Sequence, residues 1–176
     1  MSYKQPLLNA GADVNHEGGV YHTALQIASR TGNLALVTLL LRAGAKVELV
    51  GGRLGTALQA AAYRGMESVL ELLLDASADI NQTCGVYWTA LQAAAFRGHE
   101  AVVKFLLERN AEVSIEGGKY HNALRAARVE VRRRVKIVEK ILLDNGAIDT
   151  FVPPENEIVD GGYDCFPYLS DEEDEF

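Results

Sequence analysis

The residues best suited to chemistry are few, and their spacing does not support it. His16, His22, His99 and His121 do not stand at metal-ligand spacing. Neither Cys84 nor Cys165 has a second Cys at the CxxC distance used by zinc and redox motifs. No Ser sits in a Gly-x-Ser-x-Gly elbow, and no GxxxxGK[ST] loop is present to cradle a phosphate. Catalysis, metal binding, a cofactor and a small-molecule substrate are therefore not expected. A second kind of chemistry, recognition, is better supplied. Tyr63, Arg64, Trp88 and Arg97 are of the types that dominate binding hot spots, and Phe96 adds a further aromatic ring. Their value depends on what positions them.

What positions them is a repeat. Thr-Ala-Leu-Gln occurs at Thr23–Gln26, Thr56–Gln59 and Thr89–Gln92, with a degraded copy at Asn122–Arg125. The spacing is 33 residues each time, which marks a stacked-repeat protein. Thr followed three residues later by Gln is a capping box, so each copy opens a helix. Gly32, Gly65 and Gly98 end that short helix. A second helix follows, with apolar positions such as Leu36, Val37, Leu39 and Leu40 recurring in later units. Gly44, Ser77, Asn110 and Gly146 stand at its stop, where positive φ is required and Ser77 is the poorest fit. Paired glycines then predict a tight hairpin at Gly18-Gly19, Gly51-Gly52 and Gly117-Gly118, with Cys84-Gly85 as the variant.

On these residues the unit resembles an ankyrin repeat. The Thr-Pro-Leu-His of that family appears as Thr-Ala-Leu-Gln. Its Gly-Ala-Asp-Val-Asn is intact at Gly11–Asn15 and nearly so at Ala78–Asn81. The Gly-Gly-x-Tyr-x-Thr-Ala-Leu-Gln form is similar to arrays of filamentous fungi that often trail a NACHT-type nucleotide-binding module. The resemblance implies an all-α solenoid of helix-turn-helix units with short β-hairpin loops. It also implies an intracellular scaffold that binds a protein partner through a concave face, made of the hairpin tips and the exposed positions of the first helices. Two other readings stay open: a sensor or regulatory piece detached from such a fungal receptor, and a nuclear accessory factor working through a polybasic last repeat.

The expected organisation is a partial leading repeat over 1–15 and an array over 16–150. Its units lie near 16–48, 49–81, 82–114 and 115–149, and an acidic tail follows over 151–176. The leading half-unit reads as the remnant of a longer array or a truncated product, leaving an uncapped apolar end through which the chain would associate. The fourth unit runs three residues longer between its core landmarks and carries Arg132, Arg133, Arg134 and Lys136. It reads as a charged cap, and secondarily as a nuclear-import or nucleic-acid patch, although nucleic acid is not expected as a partner.

The tail holds nine Asp or Glu and no Lys or Arg, so the remaining 17 basic and 15 acidic residues leave the array at +2. Such one-signed composition predicts disorder. Ser170 heads an acidic run of the kind that acidophilic kinases modify. Docking of this tail on the basic fourth unit is a specific expectation. No apolar run approaches the roughly 20 residues that span a bilayer. Two distant cysteines and the absence of a signal-peptide pattern point to a reducing, cytoplasmic setting rather than a nuclear one.

Where a repeat position varies in residue between units it points to a partner, and where it keeps its residue it points to packing. On that criterion Trp88, Tyr63, Phe96, Arg64 and Arg97 are the candidate contacts, while Tyr21, Tyr87 and Tyr120 form a hairpin-packing series. The competing reading for Tyr63 and Phe96 is that they stack on each other across neighbouring units.

Overall fold

The computed structural model describes residues 12–19, 22–129 and 135–148. Their regular structure is helical: α1 (Ala24–Thr31), α2 (Leu34–Arg42), α3 (Ala57–Arg64), α4 (Glu67–Asp75), α5 (Ala90–Phe96), α6 (Glu100–Glu108), α7 (Ala123–Val129) and α8 (Val135–Asp144). The β component among the described residues is limited to single bridges, Gly51 with Gly55 and Cys84 with Trp88. The fold is an all-α helical solenoid, as expected.

The punctuation works as the sequence predicts. Thr23 and Thr56 close full capping boxes with Gln26 and Gln59. Thr89 closes only half of one, because its own N–H turns to the Tyr87 carbonyl at 2.7 Å instead. Gly32 and Gly65 are left-handed C-caps. Gly44, Ser77, Asn110 and Gly146 all have positive φ. Ser77, at φ 67°, is the residue least suited to that conformation.

The two helix layers differ in composition and therefore in spacing. The first helices bury small residues, Ala28, Ala61, Ala94 and Ala127, at their contacts. Small side chains let backbones approach, and α1, α3, α5 and α7 pack on one another far more closely than α2, α4, α6 and α8 do. The second helices contribute two columns. Val69, Val102 and Val138 are fully buried, whereas the first member, Leu36, is only partly so; this column faces the preceding unit. Val37, Leu70 and Val103 are fully buried, whereas the last member, Glu139, is not; this column faces the following unit. Each fully buried Leu or Val stabilises the stack by roughly 1.5–3 kcal/mol.

Polar contacts set the register between units. Gln26 Nε2 donates to the carbonyls of Leu49, Gly51 and Gly55, at 3.2, 3.4 and 2.7 Å. Gln59 Nε2 donates to Gln82 and Trp88 at 3.0 and 2.8 Å, and Gln92 Nε2 to Ile115 and His121 at 3.2 and 3.3 Å. The same side chain that starts a helix therefore holds the next hairpin. Asn15 and Asn81 add a second set: Asn15 Oδ1 accepts from the Lys46 amide at 2.8 Å, and Asn81 Oδ1 from the Glu112 amide at 2.9 Å.

Successive hairpins also fit by bulk. The residue just before each cap has positive φ: His22 66°, Gly55 85°, Trp88 65° and His121 64°. Where it is large, the next hairpin opens with glycine. A Cβ on Gly51 would lie 2.0 Å from the His22 ring, and one on Gly117 would lie 2.3 Å from Trp88 Nε1. Where it is Gly55, the next hairpin opens with Cys84, whose Sγ fills the space.

Three stability outcomes follow from these contacts. Ser77→Gly relieves a left-handed serine and should stabilise by up to about 1 kcal/mol in denaturant unfolding. Gln59→Ala strands buried backbone groups and should cost about 2–4 kcal/mol in the same measurement. Gly51→Ala should cost about 1–3 kcal/mol by crowding His22, and His22→Gly should recover most of that loss in a double-mutant cycle.

Candidate functional site

Four of the five candidate contacts lie at the ends of first helices, and the fifth closes a hairpin. Tyr63 and Arg64 close α3, Phe96 closes α5 and Arg97 follows it, while Trp88 ends the hairpin before α5. The helix-end residue of one unit meets the hairpin residue 24 positions later in the next. Tyr63 meets Tyr87 at 5.0 Å between ring centroids, and Phe96 meets Tyr120 at 4.8 Å. Tyr87 also contacts Phe96 at 5.1 Å and Tyr120 at 6.0 Å. The result is one aromatic ladder, Tyr63–Tyr87–Phe96–Tyr120. Tyr63 and Phe96 do communicate across units, but through Tyr87 rather than by direct stacking.

This placement changes the role of two candidates. Tyr63 is 3 % exposed, so it offers almost no area to a partner, and its function is to anchor the ladder. Trp88 is half-buried with its indole against Gly117 and Gly118, so part of its surface is already committed to hairpin packing. Phe96 is half-buried within the ladder. Arg64 is exposed. Arg97 is half-buried, its guanidinium 4.9 Å above the Tyr63 ring. The Tyr87–Tyr120 stack supports the hairpin-packing reading of that series; Tyr21 lies outside the described residues.

The sequence criterion missed two hairpin-tip cations, Arg53 and Lys119. Lys119 Nζ stands 5.7 Å from the Tyr120 ring centroid. The signal was present, since the tip position reads Val20, Arg53, Val86 and Lys119 and varies in charge. Arg53 lines a shallow depression with Arg30, Leu54 and Gln26. The helix ends and hairpins thus combine aromatic rings with a guanidinium over Tyr63 and an ammonium over Tyr120, a cation–π arrangement.

Burial, and then the neighbouring Tyr63 hydroxyl, push the Tyr87 hydroxyl far above the ordinary tyrosine range. His22 faces Glu17 at 3.4 Å, and His99 Nε2 bonds the Tyr63 carbonyl at 3.0 Å. The buried Cys84 thiol lies 3.0 Å from Gln59 Oε1. Among the described residues, no three His, Cys, Asp or Glu side chains gather as a metal site, and no helix is long and apolar enough to cross a membrane.

In the fourth unit, Lys136 is exposed on α8, while Arg132, Arg133, Arg134, Ser170 and the acidic tail lie outside the described residues. Arg128 Nε donates to Glu139 at 2.7 Å, so part of the basic charge there is already neutralised.

A comparison with curated proteins returned no match. A family model described as ankyrin repeats, in three copies, matches residues 4–84 and 58–152, which together take in most of the chain. The repeat period, the two-layer helical stack, the hairpins between units and this match agree, and the chain belongs to the ankyrin-repeat family.

Proposed function

We propose that this chain is a non-catalytic scaffold that binds an acidic protein segment along its concave surface. Ankyrin repeats mediate protein–protein interaction in general. The observation that carries the finer reading is the aromatic ladder with cations set over it, Arg97 on Tyr63 and Lys119 on Tyr120. Arg64 stands exposed next to Tyr63 in the chain, and Arg53 is at a neighbouring hairpin tip. A rigid, pre-formed surface lowers the ordering cost of binding, and an extended acidic segment complements its charge. The pairing of Arg128 with Glu139 works against a nucleic-acid reading of the fourth unit, because it removes a cation from the patch.

Selection of displayed peptides against the full chain tests this. Acid-rich peptides should be enriched, and Arg64→Ala and Arg97→Ala should each weaken their binding about tenfold while leaving the melting temperature nearly unchanged. Affinity should also fall with salt. Tyr63→Ala, by contrast, should lower stability by about 3–5 kcal/mol. For Trp88→Ala, loss of binding without loss of stability marks a contact residue, and parallel loss of both marks a structural one. Peptides that bind the two arginine variants as well as the parent, but lose affinity on Lys104→Ala in α6, would overturn the placement.

A further inference from the structure

The fourth unit breaks the pattern of the earlier units at three exposed apolar residues. Tyr63 and Phe96 are each covered by the tyrosine 24 positions later, and Val129, the next member of that column, is 53 % exposed. Leu41, Leu74 and Leu107, three residues before each left-handed stop, are partly buried; their counterpart Leu143 is 46 % exposed. Two residues after the stop the earlier units carry Lys46, Asp79 and Glu112, all exposed, whereas the fourth carries Ile148 at 70 % exposure. An apolar side chain has replaced a charged one at a position that elsewhere meets water.

This face is nevertheless not built for another ordinary repeat. The column that faces a following unit, Val37, Leu70 and Val103, ends in Glu139, which pairs with Arg128. Stacking a further apolar helix pair or a second copy over that ion pair would desolvate it at a cost of several kcal/mol. A segment that mixes apolar and acidic residues suits the face better. The same unit carries the exposed cations Lys136 and Lys140 on α8.

We infer that residues 155–176 of the same chain cover this face. They place apolar groups on Val129, Leu143 and Ile148, and acids toward Lys136 and Lys140. The tail supplies both halves: Ile158, Val159, Tyr163, Phe166, Tyr168 and Leu169 are interleaved with nine Asp or Glu and no Lys or Arg. The ten residues from Ile148 to Ile158 extend up to about 33–36 Å, enough to cross a repeat unit in any direction. A tether this short gives an effective concentration on the order of millimolar, so weak individual contacts suffice. The tail thereby serves as the cap that the end of a solenoid requires.

Hydrogen exchange of α8 in the full chain, and in a chain ending at residue 150, tests the inference. At about 0.02 M salt the α8 amides should exchange about tenfold faster in the shortened chain, and the gap should narrow at about 0.5 M salt. Ile148→Ser in the full chain should reproduce the fast exchange; the residue is exposed, so the variant should fold. Equal exchange in both chains at both salts overturns the inference. So does an Ile148→Ser effect of equal size in the shortened chain, where no tail is present. Protection that grows with protein concentration would assign the face to a second copy instead, and would equally overturn it.

Discussion

The stack depends on one side chain used twice. In the first two units, the glutamine of Thr-x-x-Gln accepts the cap amide of its own helix through Oε1 and donates through Nε2 to carbonyls of the next hairpin. The buried backbone of a hairpin needs partners, and a carboxamide is a small group able to accept in one direction and donate in the other. A carboxylate would place oxygen against oxygen at the carbonyls. An aliphatic residue would leave them stranded. The fourth unit has Arg125 in this position, and Asn122, which takes over the cap by accepting from the Arg125 amide at 2.9 Å, reaches forward to Ile148 O at 3.5 Å. The forward hold therefore changes hands at the unit where the periodic pattern ends.

Once hairpins are held in register, the rest of the inner surface follows. The 24-residue offset between a helix end and the hairpin that covers it is a direct consequence of a 33-residue period with one fixed staple. It aligns Tyr63, Tyr87, Phe96 and Tyr120 into a ladder and sets cations over two of its rings. It also brings each pre-cap residue against the first residue of the next hairpin, which accounts for the alternation of bulk between His22/Gly51, Gly55/Cys84 and Trp88/Gly117. Variation at these positions is thus constrained in pairs. Trp88, singled out for its rarity, is tied to a glycine 29 residues away.

Much of the architecture was legible because repeats convert a global problem into a local one. Helix starts, left-handed stops and the buried columns each rest on short-range rules, and three near-copies make the pattern plain. The candidate surface was less legible. Side-chain type and variation picked out Arg64, which is exposed, and Arg97, which is half-buried, together with Tyr63, which is buried, because a tyrosine at a helix end looks the same in sequence whether its ring meets water or Tyr87. The same criterion passed over Arg53 and Lys119, which lie on hairpin tips rather than helix ends.

By itself, the sequence determined the period, the two helices of each unit, their caps and stops, and the absence of spacing suited to catalysis. These are consequences of backbone conformational limits and of hydrogen bonds within a few residues of the chain. Only the tertiary structure decided which column faces which neighbour, that the capping glutamine also joins adjacent units, and that the aromatic residues pack on one another with cations set over two of the rings. It also decided that Val129, Leu143 and Ile148 are exposed in the fourth unit. Those outcomes depend on what lies across an interface between units, and burial there is set by the neighbour's side chains rather than by the residue's own type.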